Sequence, residues 1–307
     1  MKPVVLVHGI FNHVPGATPE KAACLKAKEC RPKLAEGLAK ARLGQASPEV
    51  VMAYYADLLR TEPPAQAHAT DVDPRFEDLT RKQRAEAAEW LAEAGAFSPQ
   101  DPQNIGLVPL RQMLGWLVRK RGGWLAQTMQ EHTVGVLERI MVALLRDVEA
   151  YTAWPDRRRL TRERVGKTIR DYRPTVVVAH SLGSVVVYET LLDEAYSDLD
   201  VELLLTVGSP LGLPGLARRL DPALRAGRGT RPAGVRRWVN IADVGDIVAI
   251  PPGLSDVFPI DQDETTDTGL GFHAFGGYLA DGLTATALTA YLDYPGDDPP
   301  ESNGNEQ

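Results

Sequence analysis

Short runs of β-branched and aliphatic residues recur along this chain, separated by longer stretches in which apolar positions return every three or four residues. The first run, Val4 to Val7, reads as a buried strand ended by His8-Gly9. Pro19 to Leu43 carries helical periodicity and stops at Gly44. Val50 to Tyr54 is a second strand, and the next apolar β-branched run begins only at Thr175. Val201 to Val207 and Val235 to Ala242 follow as strands, and a helix is expected from Ala274 to Tyr291. Strands alternating with helices, each strand almost wholly apolar, predict an α/β fold: a parallel sheet covered by helices on both faces.

About 120 residues separate the second and third strands, far more than a simple crossover requires. The intervening chain is helical in pattern over Arg75–Ala94, Leu107–Lys120, Trp124–Ala150 and Leu160–Tyr172. The last two segments suit the crossover that returns to the sheet. The first two, with the Pro-rich link Glu62 to Pro74, suit a helical cap. The expected division is a core of residues 1–59 and 150–294, a helical cap of 60–149 and a disordered tail of 295–307. Trp90, Trp116 and Trp124 fall in or beside the cap, where aromatics at helical spacing chiefly pack cap onto sheet.

One turn carries chemistry. From Thr175 to Glu189 the chain reads TVVVAHSLGSVVVYE, an apolar strand, a serine between small residues and an apolar helix. A nucleophile held on a sharp strand-to-helix turn needs small residues on either side, because strand and helix pass closely there. Ala179 and Gly183 supply them around Ser181. An ordinary helix cap would also use serine, but would not need small residues on both flanks.

A serine hydroxyl needs a base, and the base needs an orienting acid. Of six histidines, His8 and His13 lie by the first strand, His68 and His132 in the insert, and His180 beside the serine. His273 sits in a glycine-rich loop (Gly269, Gly271) before the last helix, where a base can swing over the sheet edge. The acid should follow the strand ending near Ala242, which leaves Asp246, with Asp243 as the alternative. Asp243 suits capping of the turn. The order Ser181, Asp246, His273 is that of a nucleophile-elbow hydrolase. The backbone N–H of Leu182, and of Ile10 or Phe11 in HGIFN, would face the developing oxyanion.

These segments resemble the α/β-hydrolase family of serine esterases and lipases. VVLVHGIFN is similar to its oxyanion loop, AHSLGS to its nucleophile elbow and GFHAFGGYL to its histidine loop, while WVNIADVGDIVAIPP is similar to the acid segment of bacterial lipase-like members. The resemblance implies an α/β-hydrolase fold and hydrolysis of a carboxylic ester or lipid through an acyl-Ser181 intermediate, without cofactor or metal. A thioesterase or acyltransferase would use the same triad, and a non-catalytic binding protein would reuse only the scaffold. Because the chain opens on the oxyanion strand, the family's first two strands are missing and a shortened sheet is expected. The resemblance does not extend to the insert.

Composition narrows the remaining classes. With 307 residues and 44% of them apolar, a substantial core is available. The formal charge of −7 argues against generic nucleic-acid binding. The basic run Arg157, Arg158, Arg159, Arg162, Arg164, Lys167 and Arg170 could attract phosphate or an anionic membrane, but more simply forms the solvated face of a surface helix. Gly166-Lys167-Thr168 lacks the glycine and the preceding strand of a phosphate loop. Cys24 and Cys30 point to different sides of one helix, so no bridge is expected, and free thiols suit a reducing, cytoplasmic setting. No zinc-type spacing occurs, and the substrate class is a small-molecule ester or lipid.

Overall fold

The computed structural model describes residues 2–43, 48–60, 74–96, 109–121, 127–268 and 273–292. Gly44, most of the 62–74 link, Trp124, Gly269, Gly271 and the 295–307 tail lie outside these residues.

Six parallel strands form one sheet in the order β2-β1-β3-β4-β5-β6. They are β1 (Val4–Val7), β2 (Val50–Ala53), β3 (Val176–His180), β4 (Val201–Val207), β5 (Val235–Asp243) and β6 (Gln262–Thr266). In β1 the pleat sends Val5 and Val7 to one face and Val4 and Leu6 to the other, so two cores form. One is sealed by α1 (Pro19–Lys40), α8 (Phe275–Leu279) and α9 (Gly282–Leu288). The other lies under α2 (Arg81–Glu93), α3 (Leu110–Arg121), α4 (Gln127–Thr152), α5 (Pro155–Tyr172) and α6 (Leu182–Leu192). A short α7 (Pro214–Ala217) follows β4.

The helices between β2 and β3 share the core of the sheet face. Trp90, Leu91, Met113, Leu114 and Met141 are buried in the same cluster as Val5, Val177 and Leu204. Burial of such side chains contributes about 1.5–3 kcal/mol each. A buried carboxylate ties the crossover together: Glu189 of α6 accepts from Tyr151 Oη of α4 at 2.6 Å, Arg158 Nε of α5 at 2.8 Å and the Asp221 N–H at 3.1 Å. A carboxylate removed from water is tolerated when donors surround it in this way.

Several elements differ from the sequence pattern. β6 has no apolar run and was not expected from QDETT; Asp263 pins it through acceptor bonds from Asn240 Nδ2, Leu254 N–H and Ser255 N–H. The helix expected over 274–291 is broken after Leu279, because Asp281 caps a second helix by accepting from the Leu283 N–H at 2.9 Å. α5 starts at Pro155 rather than Leu160, since proline suits the first helical position. α1 ends three residues early, at Lys40. Trp116 is 40% exposed with Lys120 Nζ 4.9 Å from its ring centre, so it does not pack cap on sheet. Trp90 is buried.

The basic run of α5 is compensated. Arg158, Arg159, Arg162, Arg164, Lys167 and Arg170 each pair with a carboxylate, and Arg157 lies over the Trp154 ring. Gly166 lies mid-helix, where the Tyr196 ring occupies the space a side chain would fill. It serves helix packing. Cys24 and Cys30 are both free. Among the described residues, no helix is long and apolar enough to cross a membrane.

Candidate active site

At the carboxyl end of β3 the chain turns abruptly into α6, and Ser181 occupies the bend with φ 54° and ψ −132°. A non-glycine residue held there stores about 1–3 kcal/mol of strain. Its side chain makes no capping bond to α6, so the capping explanation of the serine does not hold. The strain is held by the surroundings. The Ser181 N–H donates to Val207 O at 3.1 Å, and its carbonyl accepts from Ser184 Oγ at 2.6 Å. Ser184 Oγ also meets Ser209 Oγ at 2.7 Å, tying the bend to the loop after β4. Gly183 answers the close approach of helix and strand: a Cβ there would lie 2.5 Å from His8 O and 2.7 Å from Val7 O.

His273 and Asp246 meet this serine. Ser181 Oγ lies 2.7 Å from His273 Nε2, and His273 Nδ1 lies 2.7 Å from Asp246 Oδ2. A carboxylate facing Nδ1 fixes the proton on that nitrogen, leaving Nε2 to accept from the serine hydroxyl. Asp246 also accepts from Tyr278 Oη on Oδ2 and from the Val248 N–H on Oδ1. Burial and the neighbouring Asp246 push the Tyr278 phenol well above its ordinary range, so it stays a donor. Asp243 takes a different place. Its oxygens accept from the Gly245 N–H at 2.6 Å and the Thr268 N–H at 2.5 Å, so it braces the loop and does not reach His273.

All three side chains are buried, Ser181 completely. Gly208, at φ +56°, makes room for them: a Cβ there would stand 2.9 Å from Asp246 Oδ2 and 3.2 Å from His273 Nδ1. His273 itself has φ 109°, a second strained residue at the same site. Comparison with protein-family models, curated proteins and solved structures finds no match for this chain.

The loop after β1 lies directly on the serine. Gly9 is so close that a Cβ would be 2.9 Å from Ser181 Oγ and 3.1 Å from His180 Nδ1. Of the residues expected to donate to an oxyanion, Ile10 is buried and follows Gly9, and Leu182 opens α6 just after the serine. Phe11 has φ 61° and a side chain 60% exposed. Asn12 Nδ2 donates back to Ile10 O at 2.7 Å and Gly9 O at 3.2 Å, which holds the loop in a tight curl.

His8 supports this loop. Its Nε2 accepts from the Tyr55 N–H at 3.1 Å, and its Nδ1 faces Gly9 O at 2.9 Å as donor. Both nitrogens are committed to a single neutral tautomer, and burial lowers its pKa to about 4. His180 is also buried, and its ring stacks on Phe275 and lies 4.6 Å from His273 between centroids. Burial, and then the neighbouring histidines, drive its pKa well below the ordinary value.

Three contributors escape sequence reasoning, whereas Gly9, with His8, is expected from the sequence to shape the loop after the first strand. Tyr278 and Gly208 act on residues remote in sequence, and only Gly208 carries a local signal, as the glycine ending a strand. The third is Trp90, whose Nε1–H donates to Ile247 O at 2.7 Å, joining α2 to the residue after Asp246.

Proposed function

We propose that this chain is a serine hydrolase of the α/β-hydrolase type, cleaving a carboxylic ester through an acyl-Ser181 intermediate. The observation that carries the reading is the unbroken relay from Ser181 Oγ through His273 to Asp246, at 2.7 Å for each step. A buried serine bonded to a histidine whose far nitrogen faces a carboxylate is built to lose its proton to that histidine.

In the mechanism, Ser181 Oγ attacks the ester carbonyl as His273 Nε2 takes the hydroxyl proton. Asp246 stabilises the imidazolium that results and keeps the ring in register, assisted by the Tyr278 and Val248 donors. The carbonyl oxygen, now negative, is met by the Leu182 N–H at the start of α6 and by the N–H of Ile10 or Phe11. Loss of one such donor costs about 3 kcal/mol of transition-state stabilisation. His273 then returns the proton to the leaving alcohol. A water molecule enters, gives its proton to His273 and releases the acid, restoring Ser181.

A fluorophosphonate probe tests this directly. The parent protein should be labelled at Ser181 and should hydrolyse short-chain esters. Ser181→Ala should take no label and lose roughly 10³-fold or more in kcat while keeping the parent's circular dichroism spectrum. An unlabelled parent, or an alanine variant with near-parent activity, overturns the reading.

A further inference from the structure

His180 immediately precedes Ser181, and the relay described above makes no use of it. Its side chain is only 3% exposed, closed in between the Phe275 ring, stacked at 4.8 Å and 5°, and the His273 ring at 4.6 Å. The His273 backbone lies close enough to favour a proton on the ring, yet neither ring nitrogen has a hydrogen-bond partner among the described residues. His8, by contrast, is buried with both nitrogens occupied.

A buried polar group without a partner costs about 1–3 kcal/mol, because it gives up water and gains nothing in return. Phenylalanine would fill the same stack without that cost, so packing alone gives no reason for an imidazole at this position. The nitrogens are therefore of use at a step in which a further group is present.

The placement of Nδ1 points to that step. It lies 3.1 Å from the position a Gly9 Cβ would take, and Ser181 Oγ lies 2.9 Å from the same position. Nδ1 and the nucleophile thus flank one bare face of Gly9, with the His273 ring beside both. In acyl transfer the leaving alcohol, and then the attacking water, occupy the side of the serine nearest the base, whereas the oxyanion faces away from it. Burial and the neighbouring His273 keep the His180 ring neutral, so it offers one donor and one acceptor. A water molecule, which both donates and accepts, meets either nitrogen, and a neutral ring adds no charge beside the imidazolium that forms on His273.

Resting on the hydrolase reading, we propose that His180 Nδ1 holds the water that hydrolyses the acyl-Ser181 intermediate. The water oxygen bonds to the acyl carbon as its proton passes to His273 Nε2. The bond from that carbon to Ser181 Oγ then breaks, and Oγ takes the proton back from Nε2. His180 neither gains nor loses a proton. It orients the water, and so bears on deacylation and not on acylation.

Stopped-flow measurement with p-nitrophenyl acetate separates the two half-reactions, the first nitrophenol released reporting acylation and the steady state reporting breakdown of the acyl-enzyme. The variants are His180→Phe, which keeps the stack, His180→Asn, whose amide reaches the Nδ1 position, and His180→Gln, whose amide reaches the Nε2 position. His180→Phe and His180→Gln should release the first nitrophenol within about threefold of the parent rate but turn over about tenfold or more slowly. Acetyl-Ser181 should accumulate in both, read by mass spectrometry of the quenched protein. His180→Asn should recover most of the turnover. Equal slowing of both half-reactions, or parent-like turnover in His180→Phe, overturns the role of His180 and leaves the hydrolase reading intact. Should His180→Phe not fold, equal turnover in His180→Asn and His180→Gln overturns it in the same way. A parent that releases no nitrophenol and takes no fluorophosphonate overturns both readings.

Discussion

Acidification should weaken this fold through His8, and the size of the effect follows from its surroundings. His8 is buried, accepts from the Tyr55 N–H and donates to Gly9 O, so the folded protein holds it neutral. Its pKa falls from 6.5 to about 4 on folding. Above pH 6.5 the ring is neutral in both states, and its contribution is complete. Between 6.5 and about 4 the unfolded chain takes up a proton that the folded chain refuses, so stability is lost as pH falls. Below about 4 the loss is complete. At about 1.4 kcal/mol per pH unit over that interval, the total is about 3 kcal/mol. Asp147 acts in the opposite sense, because its raised pKa lets the folded state bind a proton first as pH drops towards 4. A whole-protein curve therefore hides the His8 effect. The assay is chemical denaturation of the parent and His8→Gln, whose amide keeps the hydrogen-bonding roles without titrating, between about pH 7 and pH 4. The stability difference, parent minus variant, should shrink by about 3 kcal/mol over this range. A difference that stays constant within about 0.5 kcal/mol would refute the argument that His8 is held neutral by burial.

Exchange of the two neighbouring acids gives contrasting outcomes. Asp246→Asn should reduce kcat by roughly 10⁴ with the fold intact, since the amide no longer fixes the His273 tautomer. Asp243→Asn should instead cost about 1–2 kcal/mol of stability, through the Gly245 and Thr268 N–H bonds, and leave kcat within about tenfold; a larger kcat loss at Asp243 reverses the assignment. Trp90→Phe keeps an aromatic ring but removes the indole N–H and part of the buried ring volume, leaving Ile247 O without its donor, so unfolding free energy should fall by at least about 1–3 kcal/mol. A variant as stable as the parent would show that the indole N–H contributes nothing to holding the Asp246 loop.

The parts of the site legible in the sequence are those with a local cause. The Ser181 turn announces itself because a close helix–strand passage needs small residues within two positions, and that constraint is written in Ala179 and Gly183. Asp246 and His273 were accessible as loop residues following strand-like and before helix-like runs, in a fixed chain order. The choice between Asp246 and Asp243 was open, because both sit in one loop and only the tertiary fold shows which carboxylate faces the imidazole. β6 could not be read at all. As an edge strand it is half-exposed and polar, and its pairing rests on Asp263 meeting Asn240 and two loop N–H groups.

What the amino-acid sequence determined by itself was the α/β class of the fold and the strained turn that holds Ser181. Almost wholly apolar strands demand cover on both faces, and β3 to α6 demands a sharp, strained bend. What only the tertiary structure decided was everything that depends on groups far apart in the chain. Tyr278 on Asp246, Gly208 beside the acid–base pair, Trp90 on Ile247 and Gly9 over Ser181 join segments separated by between 32 and 172 residues. Such contacts leave no periodicity to read, because a hydrogen bond or a missing Cβ acts at one point in space.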